Sequence, residues 1–451
     1  MSELRKLSRY ICELSLDNVP NEVQNAAKLC VLDSVGAAVG AAHYELIKGV
    51  ADTYYDIAGK SDHASCWGQK KKAPLLTAIF LNAMMGHTLE LDDVHTNSKT
   101  HIGTVVVPTA WTMAEFLGRS GKEFLEAVIC GYEVMSRIGM GFGVSGHRNK
   151  GWHVTATAGT FGAAAAAAKL LKLDEEKTVS ALGMAGTQSF GLWAFLADGA
   201  NCKVLHPARA AVSGAEAALL AKSNMTGPEH ILDAKDGGLF AAMSDEHDIS
   251  LVAKDLGQKY EMMYMDNKPY PCCRSTHCTI DAALAIKNEF GISKNDIEEI
   301  EVATYLVGYK QCGVSEGSIN PVTPVDAKFS TPFTVACAFL FGEVTLNHFK
   351  QECIQNPEVR DLLRKVNVVT EDRFTKVYPG HWGCELSVTC KDGRIIKKEI
   401  ADASGSVDNP LTKDQVRAKA LALISDTCSE DAARIVEMIL AIDDAQAVPA
   451  L

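Results

Sequence analysis

The sequence predicts a mainly α protein, with a large all-helical domain and a smaller α/β domain. Three observations carry that expectation. Apolar residues recur at helical spacing through residues 1–265. Strand-like alternation with β-branched residues is concentrated after residue 296. The helical period then returns after residue 401. With about 100–200 residues per domain, a chain of 451 residues has room for two or three. The expected boundaries are 1–265 plus 401–451 for the helical domain and 266–400 for the α/β domain.

In chain order, VQNAAKLCVLDSVGAAVGAA (23–42) has helical spacing, with small residues where a neighbour can come close. APLLTAIFLNAMMGHTLEL (73–91), VVVPTAWTMAEFLG (105–118) and FLEAVICGYEVMSRIGM (124–140) read the same way, as does the alanine-rich segment after His153. Asp174 is placed to cap the next helix, EEKTVSALGMAGTQS, whose first turn is acidic as the macrodipole favours. Strand-like alternation is nearly absent up to this point. In MYMDNKPYPCCRSTH, Pro269 and Pro271 interrupt the pattern, and a helix, TIDAALAIKNEFG, follows. DIEEIEVATYLVGY (296–309), VNVVTEDRF and CELSVTCKDGRIIKKEI supply strands, the last folded back at Lys391-Asp392-Gly393. VACAFLFGEVTLNHF between them is helical. The closing KDQVRAKALALISDTCSEDAARIVEMILAI is helical too and is expected to pack back on the first domain.

Composition narrows the function classes. The formal net charge of −12 is spread along the chain, which gives no support to nucleic-acid binding. The fourteen cysteines are scattered without a CxxC pair, and the first residues lack an apolar core and cleavage site, so buried thiols in a reducing compartment are expected. TATAGTFGAAAAAAKLL (155–171) is too short and alanine-rich to read as a bilayer span. A soluble cytoplasmic protein is the expectation.

Polar residues gather in four separated segments. HTLELDDVHTNSKTH (87–101) sets Glu90, Asp92 and Asp93 among His87, His95 and His101. On a helix, His87 and Glu90 would share a face and Asp92 would point roughly opposite. Metal binding needs spacing such as HExxH or a facial triad, which is missing, so no metal ligands are assigned. A capped polar turn and an acid–base site both fit. GWHVTATAGTFGAAAAAA places His153 just before a small-residue helix, in a structural or a catalytic position. LADGANCKVLHPARAA supplies Lys203, His206 and Arg209 at a helix entry, suited to an anion or to an exposed basic turn. KPYPCCRSTH adds Lys268, Arg274 and His277 at the domain boundary, where small-molecule clefts form, and DAKFSTPF adds Lys328 and Ser330. GMGFGVSG (139–146) does not follow a strand and so is not a dinucleotide fingerprint. Nothing local marks Cys272 or Cys273 as an activated thiol. Together these groups suit removal of a proton α to a carboxylate, with cations holding the anion and the developing enediolate charge.

The segments HTLELDDVHTNSKTHIGTVVVPTAW, GWHVTATAGTFGAAAAAA, LADGANCKVLHPARAAVSGAEAALLA and KPYPCCRSTHCTIDAAL resemble, in this order, the hallmark segments of the MmgE/PrpD family. That family includes 2-methylcitrate dehydratase, cis-aconitate decarboxylase and iminodisuccinate epimerase. The resemblance runs over nearly the whole chain. It implies a large helical domain, a smaller α/β lid domain, a homodimer and no cofactor. The family's acid–base and anion-binding groups match Asp93, His101, His153, Lys203 and His277, with Arg274 in the same segment as His277. Dehydratase and decarboxylase members typically carry a tryptophan soon after the aspartate pair and a proline after the histidine matching His101. Here the sequence is VHTNSKTHIG, without the tryptophan and with Ile102 at the proline position.

The expectation is therefore a cofactor-free enzyme acting on a small anionic di- or tricarboxylate, without nucleic-acid or membrane partners. Lys203, Arg274, Lys268 and His206 would hold carboxylates. His101 or His153 would move the proton, with Asp93 orienting or charging its histidine. Loss of a β-hydroxyl gives a 2-methylcitrate dehydratase-like reaction, the first choice. Reprotonation on the other face gives epimerisation, and loss of CO2 gives decarboxylation. Outside this class stand a metal-dependent hydrolase using His87, Asp93 and His95, and a non-catalytic binding protein.

Overall fold

The computed structural model describes residues 1–59 and 61–451. The chain divides into two compact units. One comprises Met1–Trp193, Val204–Asn267 and Thr412–Leu451, and the other Ala194–Lys203 and Lys268–Leu411.

The first unit is mainly helical. Its centre is the Val154–Leu171 helix, packed against the Gly121–Gly141 and Leu205–Lys222 helices. This segment is apolar on every face, and a helix of that kind is stable only when surrounded. It is long and apolar enough to cross a membrane, yet it is buried among its neighbours. Small residues permit the close approach: a Cβ on Gly214 would sit 2.3 Å from the Thr160 carbonyl oxygen. The Leu75–Thr88 and Gly103–Leu117 helices flank this core. Ser120 and Glu123 form a capping box at the start of the Gly121–Gly141 helix, and Asp174 accepts from the Lys177 amide at 2.9 Å, capping as expected. The Lys413–Cys428 helix packs on Asn21–Ala41, returning the end of the chain to this unit.

Two small ladders interrupt the helices of this unit. β1 (Ala64–Cys66) pairs antiparallel with β2 (Lys71–Ala73), and β3 (Val94–His95) with β4 (Met265–Asp266). Each is too short to show alternation, so periodicity could not reveal it.

The second unit holds a four-stranded sheet in the order β6-β5-β7-β8. β5 (Ile297–Thr304) runs parallel to β6 (Val366–Thr370) and antiparallel to β7 (Cys384–Cys390), which pairs antiparallel with β8 (Ile395–Ile400). Along β7, Cys384, Leu386, Val388 and Cys390 alternate into the core, where the His277–Phe290 and Thr331–Phe341 helices pack. The hairpin turns at Gly393, whose φ of 86° suits glycine. β5 is shorter than the expected 296–309 strand because the chain turns into the Leu306–Cys312 helix. Ala194–Lys203 groups with this unit, outside the uninterrupted 1–265 expected from sequence. Phe195 lies 6.3 Å from Phe329, ring to ring, and the Lys203 ammonium sits 5.2 Å over the same ring.

Candidate active site

The opening polar segment is shaped by where its helix stops. The Leu75–Thr88 helix ends before Leu89, and Glu90 follows with a φ of 59°, the left-handed region that non-glycine residues seldom adopt. That reversal turns Asp92 back toward the helix end. Its Oδ2 accepts from His87 Nδ1 at 2.8 Å and lies 2.8 Å from His101 Nδ1. The helical-face expectation, with Asp92 opposite His87, is thereby corrected, because Asp92 is not on the helix. All three side chains lie inside the unit, with His101 the most exposed at 12%. Burial alone would push the Asp92 carboxyl up, but His87 and then His101 outweigh it and hold it well below the usual carboxylate range. A ring that directs its Nδ1–H at the ionised Asp92 has Nε2 as its other, outward nitrogen.

Asp93 faces elsewhere. Tyr132 donates its hydroxyl to Oδ2 at 2.7 Å, and the Gly103 amide donates to Oδ1 at 2.9 Å. Asp93 therefore holds the first residue of the Gly103–Leu117 helix. A Cβ at position 103 would lie 2.0 Å from Ser34 Oγ, so the tight approach requires glycine. Burial first, and then the charge of Asp33, push the Asp93 carboxyl up to about 7 despite these donors. Asp33 is itself buried and bonded at 2.7 Å to Lys419, whose ammonium also donates to the Leu91 carbonyl at 2.6 Å. The carboxylate touching the histidines of this segment is thus Asp92, not Asp93.

His101 is reached through a short loop built by its own side chains. His95 pairs with Ser98 at 2.8 Å and lies 3.3 Å from Glu261, and its backbone amide donates to the Thr100 carbonyl at 2.9 Å. The His101 amide donates to Thr155 Oγ1 at 3.1 Å, tying the loop to the first turn of the Val154–Leu171 helix. His95 is therefore a fastener of this loop. The trio His87, Asp93 and His95, named from sequence for a hydrolase, does not converge. His87, Asp92 and His101 do bring candidate metal-ligating atoms within 4.8 Å of one another. Their 2.8 Å nitrogen–oxygen separations are hydrogen-bond distances, however, whereas two ligands of one tetrahedral zinc stand roughly 3.3 Å apart.

His153 precedes the same helix, its amide donating to the Gly191 carbonyl at 3.0 Å. Its Nδ1 lies 2.8 Å from Nδ1 of His206, so one proton lies between the two rings. His153 also stacks near His87, with centroids 6.2 Å apart, and meets the edge of Trp193 at 4.9 Å. The Arg148 guanidinium covers the Trp193 ring at 4.4 Å. His206, His153, His87 and His101 thus form a continuous run of imidazoles, the last two against one buried carboxylate. His206 turns to His153, exposed Arg209 lies 5.5 Å over Phe80, and Lys203 is against Phe329.

In the α/β unit, Lys268, Arg274 and His277 are all buried. His277 lies 3.3 Å from the Cys272 carbonyl and 5.2 Å from the Tyr270 ring. Tyr270 donates to Asp281 at 2.6 Å, and the same carboxylate accepts from the Ser404 amide at 2.6 Å. Arg274 reaches the Ser404 carbonyl at 3.5 Å. Lys328 accepts the Cys273 amide through its carbonyl, and Ser330 caps the Thr331–Phe341 helix.

Sequence reasoning missed Asp92 as the histidine partner, along with Tyr132, Asp33, Lys419 and Trp193. Only Asp92 had a local signal, its place beyond the last apolar residue of the helix. The others are joined by tertiary packing alone.

Two family models cover the chain, the MmgE/PrpD N-terminal domain over residues 5–252 and the MmgE/PrpD C-terminal domain over 270–444. Among similar curated proteins, the cis-aconitate decarboxylase-like protein oryM of Aspergillus oryzae is 26% identical over 97% of this chain and 94% of its own. The cis-aconitate decarboxylases of Homo sapiens and Mus musculus are 28% and 26% identical, over 97% and 96% of this chain and 92% and 88% of theirs. With both halves matched, the chain is an enzyme of the MmgE/PrpD family.

Proposed function

We propose that the protein is a cofactor-free lyase that removes CO2 from a small unsaturated tricarboxylate of the cis-aconitate type. The observation that carries this is the buried Asp92 carboxylate 2.8 Å from Nδ1 of His101. Acid–base chemistry on carbon needs a histidine held in one tautomer near neutral pH. Full-length similarity to cis-aconitate decarboxylases supports decarboxylation over dehydration as the first reaction to test.

In the proposed reaction, the bond to the departing carboxylate breaks and its electron pair enters the allylic system. The negative charge spreads onto a remaining carboxylate. His101 or His153 then delivers a proton to the carbon α to that carboxylate. Lys203, Lys268 and Arg274 are the proposed cations that hold carboxylates and stabilise the charge, and His277 is a second proposed proton donor. His206 acts by fixing the proton on His153, in place of the carboxylate-holding role expected from sequence. Asp93 supports the helix start beside His101.

A second reading, epimerisation of a related dicarboxylate, is favoured by the missing tryptophan and by Ile102 in the proline position. It uses the same histidines and differs in the fate of the carbanion. We further propose a cytoplasmic homodimer. Incubation with cis-aconitate, citrate, 2-methylcitrate and imino-dicarboxylates, each followed by proton NMR, separates the outcomes. Decarboxylation gives a new methylene alkene and CO2, dehydration another alkene without CO2, and epimerisation deuterium at an α-carbon in D2O.

A further inference from the structure

His87 takes no part in the proposed chemistry, yet it is completely buried and its Nδ1 lies 2.8 Å from the same Asp92 oxygen that faces His101. Two imidazoles therefore converge on one carboxylate oxygen, while Asp92 Oδ1 has no hydrogen-bond partner among the described residues. The orientation of Asp92 is set from the Oδ2 side. His87 cannot easily turn over. Its ring meets the edge of His101 at 4.7 Å and stacks toward His153 at 6.2 Å, and Glu90 Oε1 stands 4.0 Å from its Nε2. It also sits in the last turn of the Leu75–Thr88 helix, the rigid element from which the catalytic segment departs.

We propose that His87 is a positioning residue that, through Asp92, fixes the proton of His101 on Nδ1 and so makes Nε2 its reacting nitrogen. The argument is geometric. A carboxylate held by one donor can rotate about its terminal torsion, because that torsion is broad. A second donor on the same oxygen removes that freedom. With Asp92 fixed, the His101 tautomer bearing hydrogen on Nε2 would set an Nδ1 lone pair against a buried carboxylate oxygen at 2.8 Å, an uncompensated repulsion. His87 thus acts on the reaction without touching the reacting atoms. The catalytic part of this inference rests on the reading of His101 as the proton carrier.

The test compares His87→Asn, whose amide N–H can occupy the place of Nδ1–H, with His87→Leu, which fills similar space without a donor. Histidine-selective 15N NMR on the substrate-free protein reads the His101 tautomer, and steady-state kinetics with the turned-over carboxylate read kcat and KM. The expected result is a single Nδ1–H tautomer in the wild type and His87→Asn, and a tautomer mixture in His87→Leu. The Leu variant should lose kcat by roughly ten- to a hundred-fold, part of the 10²–10⁴ that a general acid–base step supplies. KM should stay within about twofold, because the binding groups are elsewhere. A folded Leu variant with the wild-type tautomer would overturn the proposal, as would equal impairment of Asn and Leu variants. If no carboxylate is turned over, the reaction reading fails, and the tautomer measurement still decides the role of His87.

Discussion

Asp92 and His101 face each other at 2.8 Å, carboxylate oxygen to Nδ1, inside the helical unit. The pair exists because the chain leaves its helix at Thr88 and reverses at Glu90. Replacing Asp92 with Asn keeps the shape but removes the charge and can set an amide N–H against a ring N–H. Turnover should fall by about a hundred-fold or more, with circular dichroism unchanged. Retained activity in a folded Asp92→Asn protein would show that the carboxylate is only structural.

His153 shares a proton with His206 across 2.8 Å. His153→Ala should abolish measurable turnover while the protein remains folded. His206→Ala should produce a smaller loss, since it acts through His153. A His206 variant as inactive as His153→Ala would instead place His206 against the substrate.

Stability should carry the signature of Asp93. Its folded carboxyl is pushed up to about 7, from an ordinary value of 3.8, mainly by burial. Between those values the folded chain keeps a proton that the unfolded chain releases, so stability falls as pH rises through this window. The contribution is complete below the unfolded value and lost once pH passes the folded one. Urea midpoints should therefore drop from pH 4.5 to 7.5 in the wild type by more than in Asp93→Asn. The comparison with the variant removes the slopes of distant groups and reads Asp93 together with its coupling to Asp33, whose carboxyl burial also raises.

Lys419 ties Asp33 and the Leu91 carbonyl together from a helix near the end of the chain. Lys419→Met leaves Asp33 buried without its cation, at a cost of about 3 kcal/mol. The double variant Asp33→Asn, Lys419→Met should recover part of that loss. Thermal unfolding of the two single variants and the double variant measures the coupling. Strict additivity would mean that the pair contributes nothing jointly.

Much of the fold was legible because long helices announce themselves by period, and the β7–β8 hairpin by Asp392-Gly393 between alternating strands. The two-residue β3–β4 ladder was not, since its partners lie 170 residues apart and neither shows a pattern. The polar segments were visible as chemistry, and the structure gathers His101, His153 and His206 in one unit. Their pairing was not visible. Choosing between Asp92 and Asp93 depended on one positive φ at Glu90, which no side-chain periodicity encodes. Lys419 and Tyr132 reach the carboxylates from distant helices, a relation that exists only after folding.

The most direct test of the account is proton NMR of cis-aconitate with the purified, chelator-treated enzyme in D2O, beside Asp92→Asn. The account predicts CO2 release and a product with one deuterium on the carbon α to a carboxylate, lost in the variant. Turnover that survives in Asp92→Asn, or that vanishes from the wild type on chelation, would contradict it.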